Sequence, residues 1–267
     1  MNLSKLFEVA KEKGITDLQI YLFNSTNLCV QIFEGEVDKY EIADSSSLTV
    51  KGIYNNKMGT YRTEIMEDSL IEEIIDAIIG SAKVIDSLDD AIIYAGDDHY
   101  QEVEGLYNEE LTNLDVTKKI ETLKEMDAKF REYDSRVKHV ETSYTETTVS
   151  VTLQNSKGLK LSNKANTSYI VGEVIVKDEF DQRVGFDAKI TNDFNDYEID
   201  EMVQEITDDA LNSLGAKPVA SKNYEIVFSS LSFATLFSAF QNIFSANAVQ
   251  KDISLLKGKL NQSVGST

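Results

Sequence analysis

The chain has 267 residues, of which 42% are hydrophobic, and a formal net charge of −20 from 26 Lys and Arg against 46 Asp and Glu. This charge argues against direct binding of nucleic acid, because phosphates are neutralised by clustered Lys and Arg side chains. The apolar content is enough for a hydrophobic core, so a disordered chain is excluded, and one large domain or two smaller ones are possible.

The compartment is indicated by three features of the sequence. The single cysteine, Cys29, rules out an internal disulfide, and in an alternating segment it is expected to be a small buried side chain rather than a nucleophile. The first residues form an amphipathic helix start without the apolar segment of a signal peptide. No apolar run approaches the roughly 20 residues that a membrane span needs. These features predict a cytoplasmic protein that binds no membrane.

The first 136 residues predict strands followed by two helices. After a short helix that ends before Gly14, period-two alternation predicts an antiparallel meander. Ser69 and Glu72 match a capping box, and the apolar residues from Leu70 to Ala82 follow as one helix face. A second helix is predicted from about Asp115 to Tyr133. The predicted strands are 17–24, 28–33, 37–42, 47–54 and 59–64, and the residues expected to face inward on the second helix are Val116, Ile120, Leu123 and Phe130.

Much of the excess charge lies around these two helices. Residues 64–136 hold 7 Lys and Arg against 21 Asp and Glu, and residues 86–110 are predicted to be an acidic surface loop. Such a charge distribution is typical of a solvated outer face. A docking surface for a basic partner is the alternative.

From residue 137 the pattern returns to period two and then to a helix. Asn195 and Glu198 are predicted to cap this helix, and Gly215 suits the position after its end. Its inward residues are Ile199, Met202, Val203, Ile206, Ala210 and Leu214, and the predicted strands before it are 137–144, 147–155, 159–161, 167–177 and 182–191.

A shift in composition near residues 214–223 marks a domain boundary. The chain before it is strongly acidic, whereas residues 217–267 are slightly basic and rich in Phe. We therefore predict an α+β fold, with an antiparallel sheet and flanking helices in a domain of residues 1–215. Residues 216–267 are predicted to begin a second, β-rich domain.

The sequence offers no evident catalytic constellation. His99 lies in an acidic loop beside Asp97 and Asp98, where a divalent metal could bind weakly, but a surface histidine is the ordinary interpretation. His139 lies on a predicted strand, where a cross-strand neighbour is expected. The sequence contains no H-E-x-x-H, C-x-x-C, P-loop or G-x-S-x-G motif. No catalytic, metal-binding or cofactor-binding residue is predicted.

The last segment predicts a strand, a serine turn and an aromatic helix. Residues 224–228 alternate as a buried strand, and Ser229 and Ser230 follow it. A stripe of large apolar side chains at helical spacing is most simply part of a core. The stripe consists of Phe233, Leu236, Phe237, Phe240, Ile243 and Phe244.

This arrangement, together with residues 248–251 and 255–260, resembles the TldD/PmbA family, also called modulator of DNA gyrase proteins. The resemblance implies a zinc metallopeptidase motif, H-E-x-x-x-H, on this helix in the catalytic branch of the family. In register, the motif would fall on Ser238, Ala239 and Ile243. Alanine cannot act as a base and isoleucine cannot bind zinc, so the chain resembles the metal-free PmbA/TldE branch.

The resemblance also implies a function. A PmbA/TldE-like chain would be a non-catalytic subunit, without a cofactor of its own, of a cytoplasmic zinc metallopeptidase that processes or degrades peptides. Its partners would be a zinc-bearing TldD-like subunit and an unfolded peptide substrate. A stand-alone peptidase with an unrevealed site, or a protein-binding module of the gyrase-modulator type, are the alternatives.

Family members continue with a β-rich region that follows the last residues of this sequence. The resemblance therefore leads us to expect a chain truncated at its carboxyl end. The Phe-rich helix would then lack part of its cover, so the purified chain is expected to self-associate.

Overall fold

The computed structural model of the chain describes residues 1–86 and 91–265. It divides into two compact units, residues 1–216 and residues 217–267. Part of the predicted acidic loop, residues 87–90, lies outside the described residues. Of the remainder of that loop, residues 91–108 form neither helix nor strand, and Ile93 is buried.

The first unit is built on one antiparallel sheet with six strands in the order β3-β2-β1-β4-β5-β6. This architecture confirms the predicted α+β class. The helices are α1 (Leu3–Glu12), α2 (Ile71–Val84), α3 (Glu109–Asn113), α4 (Val116–Tyr133) and α5 (Ile199–Asn212). The strands are β1 (Asp17–Phe33), β2 (Glu36–Tyr54), β3 (Lys57–Thr63), β4 (Val137–Asn155), β5 (Lys160–Lys177) and β6 (Gln182–Thr191).

Four of these strands are longer than predicted, because each joins two segments that the sequence appeared to separate. Hydrophobic alternation stops in the middle of these strands, but the ladder continues through it. Ser25 pairs with Ser45 on one side and with Val149 on the other. Thr26 Oγ1 donates to Asp44 Oδ1 at 2.6 Å. Hydrogen bonds between polar side chains thus replace apolar packing along a polar band made of residues 24–27, 44–47 and 147–150.

The polar band separates two hydrophobic cores. Helices α1 and α2 pack on the first half of β1 and the end of β2, where Leu18, Ile20 and Val50 are buried. Helices α4 and α5 pack on the second half of β1 and on β4 and β5, around Phe130 and Tyr144. The apolar face predicted for α2 is confirmed, since Ile71, Ile74, Ile75, Ile78 and Ala82 are buried.

The chain order within the first unit repeats. A helix, three antiparallel strands and a helix occur twice, as α1-β1-β2-β3-α2 and as α4-β4-β5-β6-α5, with α3 between them. Because β1 pairs with β4, the strand order of the sheet reads as a palindrome. The first unit therefore consists of two similarly built halves joined at the centre of the sheet.

Glycines allow the second helix of each half to approach the sheet closely. A Cβ atom added to Gly59 of β3 would lie 2.0 Å from the carbonyl oxygen of Ile78 in α2. A Cβ atom at Gly185 of β6 would lie 2.2 Å from the carbonyl oxygen of Ile206 in α5. No side chain fits at either distance, so both positions require glycine.

Two predicted helix caps are wrong. Ser69 lies within a 3-10 turn, Asp68–Leu70, and its hydroxyl donates to Glu67 rather than to the start of α2. Glu198 precedes α5 but makes no capping hydrogen bond with its side chain, and Asp193 instead caps the 3-10 turn Phe194–Asp196. In both cases a 3-10 turn precedes the helix, and the residue before the helix makes no capping hydrogen bond with its side chain.

The second unit contains two short helices, α6 (Ser230–Ser238) and α7 (Ala246–Gln250), with a 3-10 helix, Gln241–Phe244, between them. The strand predicted at 224–228 is wrong, since residues 223–229 have no regular structure. Val227 is 98% exposed, and a strand needs a hydrogen-bonding neighbour. Across the described residues, no helix combines the length and the apolar content needed to cross a membrane.

We predict that Gly59→Ala lowers the free energy of unfolding by about 3 kcal/mol, because the added methyl group forces α2 away from the sheet. Gly80→Ala is the matched control, since Gly80 lies inside α2 with open space around it. The control should raise stability by about 0.5–1 kcal/mol. Urea unfolding followed by circular dichroism measures both changes, and equal effects of the two variants would contradict the close approach.

Candidate functional site

The three positions aligned with the family's metal motif lie at the end of α6 and beyond it. Ser238 is the last residue of α6, and its hydroxyl donates to the carbonyl of Thr235 at 2.7 Å. Ala239 follows the helix, and Ile243 lies in the 3-10 helix. These side chains provide neither an imidazole nor a carboxylate, so they do not fit a zinc ion.

The aromatic stripe of the second unit is not buried as predicted. Phe233, Leu236 and Phe240 are each about half exposed in the structure of the chain. Phe237 contacts both Phe233 and Phe244, with ring centroids 5.8 and 5.5 Å apart. The helical spacing is interrupted because α6 ends at Ser238 and a 3-10 helix follows. Aromatic contacts within the stripe therefore replace burial in a core.

The other side chains considered as candidates lie apart from one another. His99 is exposed in an irregular segment. His139 lies on β4 opposite Ile175, with Nδ1 3.4 Å from Glu34 Oε1. Cys29 is only partly buried on β1, whereas the sequence predicts a small buried side chain. Within residues 1–86 and 91–265, no three His, Cys, Asp or Glu side chains come together as a possible metal site.

A cavity of about 450 Å³ opens between the polar band of the sheet and the segment that joins α3 to α4. We call it the central cavity. Its floor is formed by β1, β2, β4 and β5, and its roof by residues on either side of Leu114. Both polar and apolar side chains line it: Asn24, Ser25, Thr26, Leu28, Tyr40, Ile42, Thr112, Leu114, Val116, Lys119, Glu146, Thr148, Ser150 and Lys164.

A buried ion pair borders the central cavity. Lys119 Nζ lies 2.6 Å from Glu146 Oε2, and the two side chains are 3% and 8% exposed. The Lys119 ammonium also donates to the Leu111 carbonyl at 3.2 Å. The Tyr144 hydroxyl donates to the same Glu146 oxygen at 2.6 Å. Charged groups are seldom buried unless they are paired and hydrogen-bonded in this way.

Two tyrosines behind this pair are held in the neutral form. Burial, followed by the hydrogen bond to Glu146, raises the pKa of Tyr144. Burial, followed by the charge of Glu146, raises the pKa of Tyr197 to about 12. The Tyr197 hydroxyl lies 2.7 Å from Ser168 Oγ, which is completely buried. The rings of Tyr144 and Tyr197 also meet edge to face, with centroids 6.5 Å apart, so these contacts extend from the cavity into the core beneath α5.

Sequence reasoning missed Lys119 and Asp127, although their positions carried a signal. Lys119 has the helical spacing of Leu123 and Phe130, which places it on the apolar stripe of α4. A charged residue on such a stripe indicates a buried partner. Asp127 is also buried, and it binds Arg131 Nε at 2.6 Å and accepts from the backbone of Gly35.

We predict that Lys119→Met lowers the free energy of unfolding by about 3–5 kcal/mol, because it leaves the Glu146 carboxylate buried and unpaired. Lys124→Met, on the same helix, breaks only the exposed pair with Glu36 and should cost less than about 1 kcal/mol. The double variant Lys119→Met, Glu146→Leu should recover only part of the loss, because the buried Tyr144 hydroxyl then loses its Glu146 acceptor. Chemical denaturation measures all three, and a Lys119→Met effect as small as the control would refute a buried ion pair.

We also predict that stability falls in alkaline solution as tyrosine ionises. Unfolded Tyr197 releases its proton near pH 10, whereas folded Tyr197 retains it to about 12. Above pH 10 the folded state thus binds more protons, so the free energy of unfolding decreases as pH rises towards 12. Tyr197→Phe should make this decrease shallower, because it removes the group whose pKa differs between the folded and unfolded states. Urea unfolding at several alkaline pH values tests the slopes, and identical slopes for wild type and Tyr197→Phe would count against the shift.

Known proteins provide the comparison. The sequence matches a family model described as the PmbA/TldA metallopeptidase central domain over residues 109–214. It matches one described as the PmbA/TldA metallopeptidase C-terminal domain over residues 221–267. Together these matches cover more than half of the chain.

Two curated relatives come from Methanocaldococcus jannaschii. Metalloprotease MJ0996 is 21% identical over 100% of this chain and 59% of its own length. Uncharacterized protein MJ0231 is 20% identical over 99% of this chain and 59% of its own length. The chain thus spans about three fifths of the length of these relatives.

Solved structures show the same fold. A putative modulator of DNA gyrase from Thermotoga maritima has a TM-score of 0.87 at 24% identity, covering 99% of this chain and 60% of that one. TldE from Thermococcus kodakarensis has a TM-score of 0.81 at 19% identity, covering 96% of this chain and 58% of that one. With the two domain matches, these likenesses lead to one conclusion: the chain belongs to the PmbA/TldD family.

Proposed function

We propose that this chain is a non-catalytic, PmbA/TldE-like subunit of a cytoplasmic zinc metallopeptidase complex that processes or degrades peptides. One observation carries the proposal. At the positions where the catalytic branch would hold zinc, the chain has Ser238, Ala239 and Ile243, none of which supplies a metal ligand of the required kind. Membership of a metallopeptidase family supports the reaction class.

The zinc would then belong to a partner, a TldD-like subunit that carries the H-E-x-x-x-H motif. The apolar side chains exposed on the second unit support a role in assembly, since large exposed apolar patches commonly mark interfaces. Phe233, Phe237 and Phe244 form the centre of this patch. The net charge of −20 argues against nucleic acid as the partner.

The sheet of the first unit also offers a place for an unfolded peptide. Strand β3 pairs with β2 only from Leu48 to Tyr54, so the outer edge of residues 36–46 pairs with no strand among the described residues. Strand β6 pairs with β5 only from Ser168 onwards, so residues 160–167 of β5 also have no strand on their outer side among the described residues. Unpaired strand edges bind extended peptides through main-chain hydrogen bonds, which supports recognition by strand addition.

The test is the metal content of the purified chain and its association with a zinc-bearing family member. We expect the chain alone to contain substoichiometric zinc by mass spectrometry, while the family member with the H-E-x-x-x-H motif, measured in parallel, contains zinc. Mixed together, the two should elute as one complex from size-exclusion chromatography with light scattering. Stoichiometric zinc in the chain alone, or separate elution of the two proteins, would overturn the proposal.

A further inference from the structure

The side chains on the floor of the central cavity change from apolar on one side to charged and polar on the other. Strand register places Ile42 beside Leu28, and Leu28 beside Glu146. At the far side, Ser150 lies beside Lys164. The β2 corner is apolar and partly exposed, with Tyr40 at 49% and Ile42 at 57%, and the apolar residues Leu114 and Val116 belong to the roof of the cavity. The floor thus passes from an apolar corner, through a buried ion pair, to hydroxyl and amine groups.

The ion pair leaves hydrogen-bonding capacity on the cavity side. Both known bonds to Glu146 use Oε2, and no described residue pairs with Oε1. Within the described part of the chain, the fully enclosed side-chain atom without a partner is Thr207 Oγ1, so Glu146 Oε1 is not fully enclosed, and Glu146 is one of the residues that line the cavity. The Lys119 ammonium uses two of its three donors. An acceptor and a donor therefore lie side by side.

This pairing matches a peptide group, which presents one N–H donor and one C=O acceptor. The dimensions also match. Four adjacent strands span about 14 Å, which is the length of about four extended residues. The volume of about 450 Å³ lies within the range of small-ligand sites.

We propose that the central cavity binds an extended peptide segment. One main-chain peptide group lies against Lys119 and Glu146, and an apolar side chain of the peptide packs against Tyr40 and Ile42. This inference rests on the proposed function, since it assigns to this chain a contact with the peptide that the complex handles. The unpaired edge of β2 borders the apolar corner, so a peptide can continue from the cavity along that edge.

Binding is measured by the fluorescence anisotropy of a labelled Gly- and Ser-rich peptide with one central Leu, added to the full chain. Ile42→Ser should weaken binding about tenfold, because it removes the apolar surface that the Leu side chain covers. Ile190→Ser is the matched control, since Ile190 is also an exposed isoleucine on a strand but lies outside the cavity. The same peptide with Ser in place of Leu should bind weakly to the wild type.

A second pair of variants tests the cavity without altering the apolar corner. Thr148→Trp fills the floor and should abolish binding, whereas Thr152→Trp, further along the same strand and outside the cavity, should not. Circular dichroism confirms that each variant is folded. Binding that is absent in the wild type, or that Thr148→Trp and Ile42→Ser leave unchanged, would overturn the site. Neither outcome affects the zinc and co-elution results, so the two proposals fail separately.

Discussion

The first unit depends on the antiparallel ladder between β1 and β4. The two helices of each half cover a separate core, the second of which includes Val30 and Ile32 of β1, and this ladder joins the two halves into a single sheet. It runs from Gln19 to Phe33 on β1 and therefore passes from one core, through the polar band, to the other. The central cavity lies where the ladder crosses the polar band, so the site exists only because the halves are joined.

The sequence predicted the elements well and the continuity of the strands poorly. Apolar periodicity located α2, α4 and α5, since burial follows the spacing of residues such as Ile74 and Ile78. It failed at Ser25 and Thr26, because strands without apolar alternation are held by cross-strand polar bonds that one sequence does not reveal. The repeated helix, three strands and helix could have been noticed in the predicted order of elements.

The candidate site, like the fold, could be predicted from the sequence only in part. The absence of metal ligands at Ser238 and Ile243 follows from residue types alone. The central cavity does not, because its walls come from four strands and a loop whose register no local pattern determines. Lys119 could have been identified as a buried cation from its place on an apolar stripe, but its partner Glu146 lies 27 residues away. Only the fold brings the two charges together.

The close contacts of Gly59 with α2 and of Gly185 with α5 make the two outer parts of the sheet stiffer than its centre. At both ends, α2 and α5 lie against the backbone at distances that leave no room for a side chain, and close-packed interiors yield little under strain. The polar band between the two cores contains no glycine and so no close contact of this kind between helix and backbone. Its side chains also belong to neither core. Segments with few buried apolar contacts open at the lowest cost in free energy. Flexing of the molecule should therefore be concentrated around the cavity, whose walls can adjust to an occupant while both ends keep their shape.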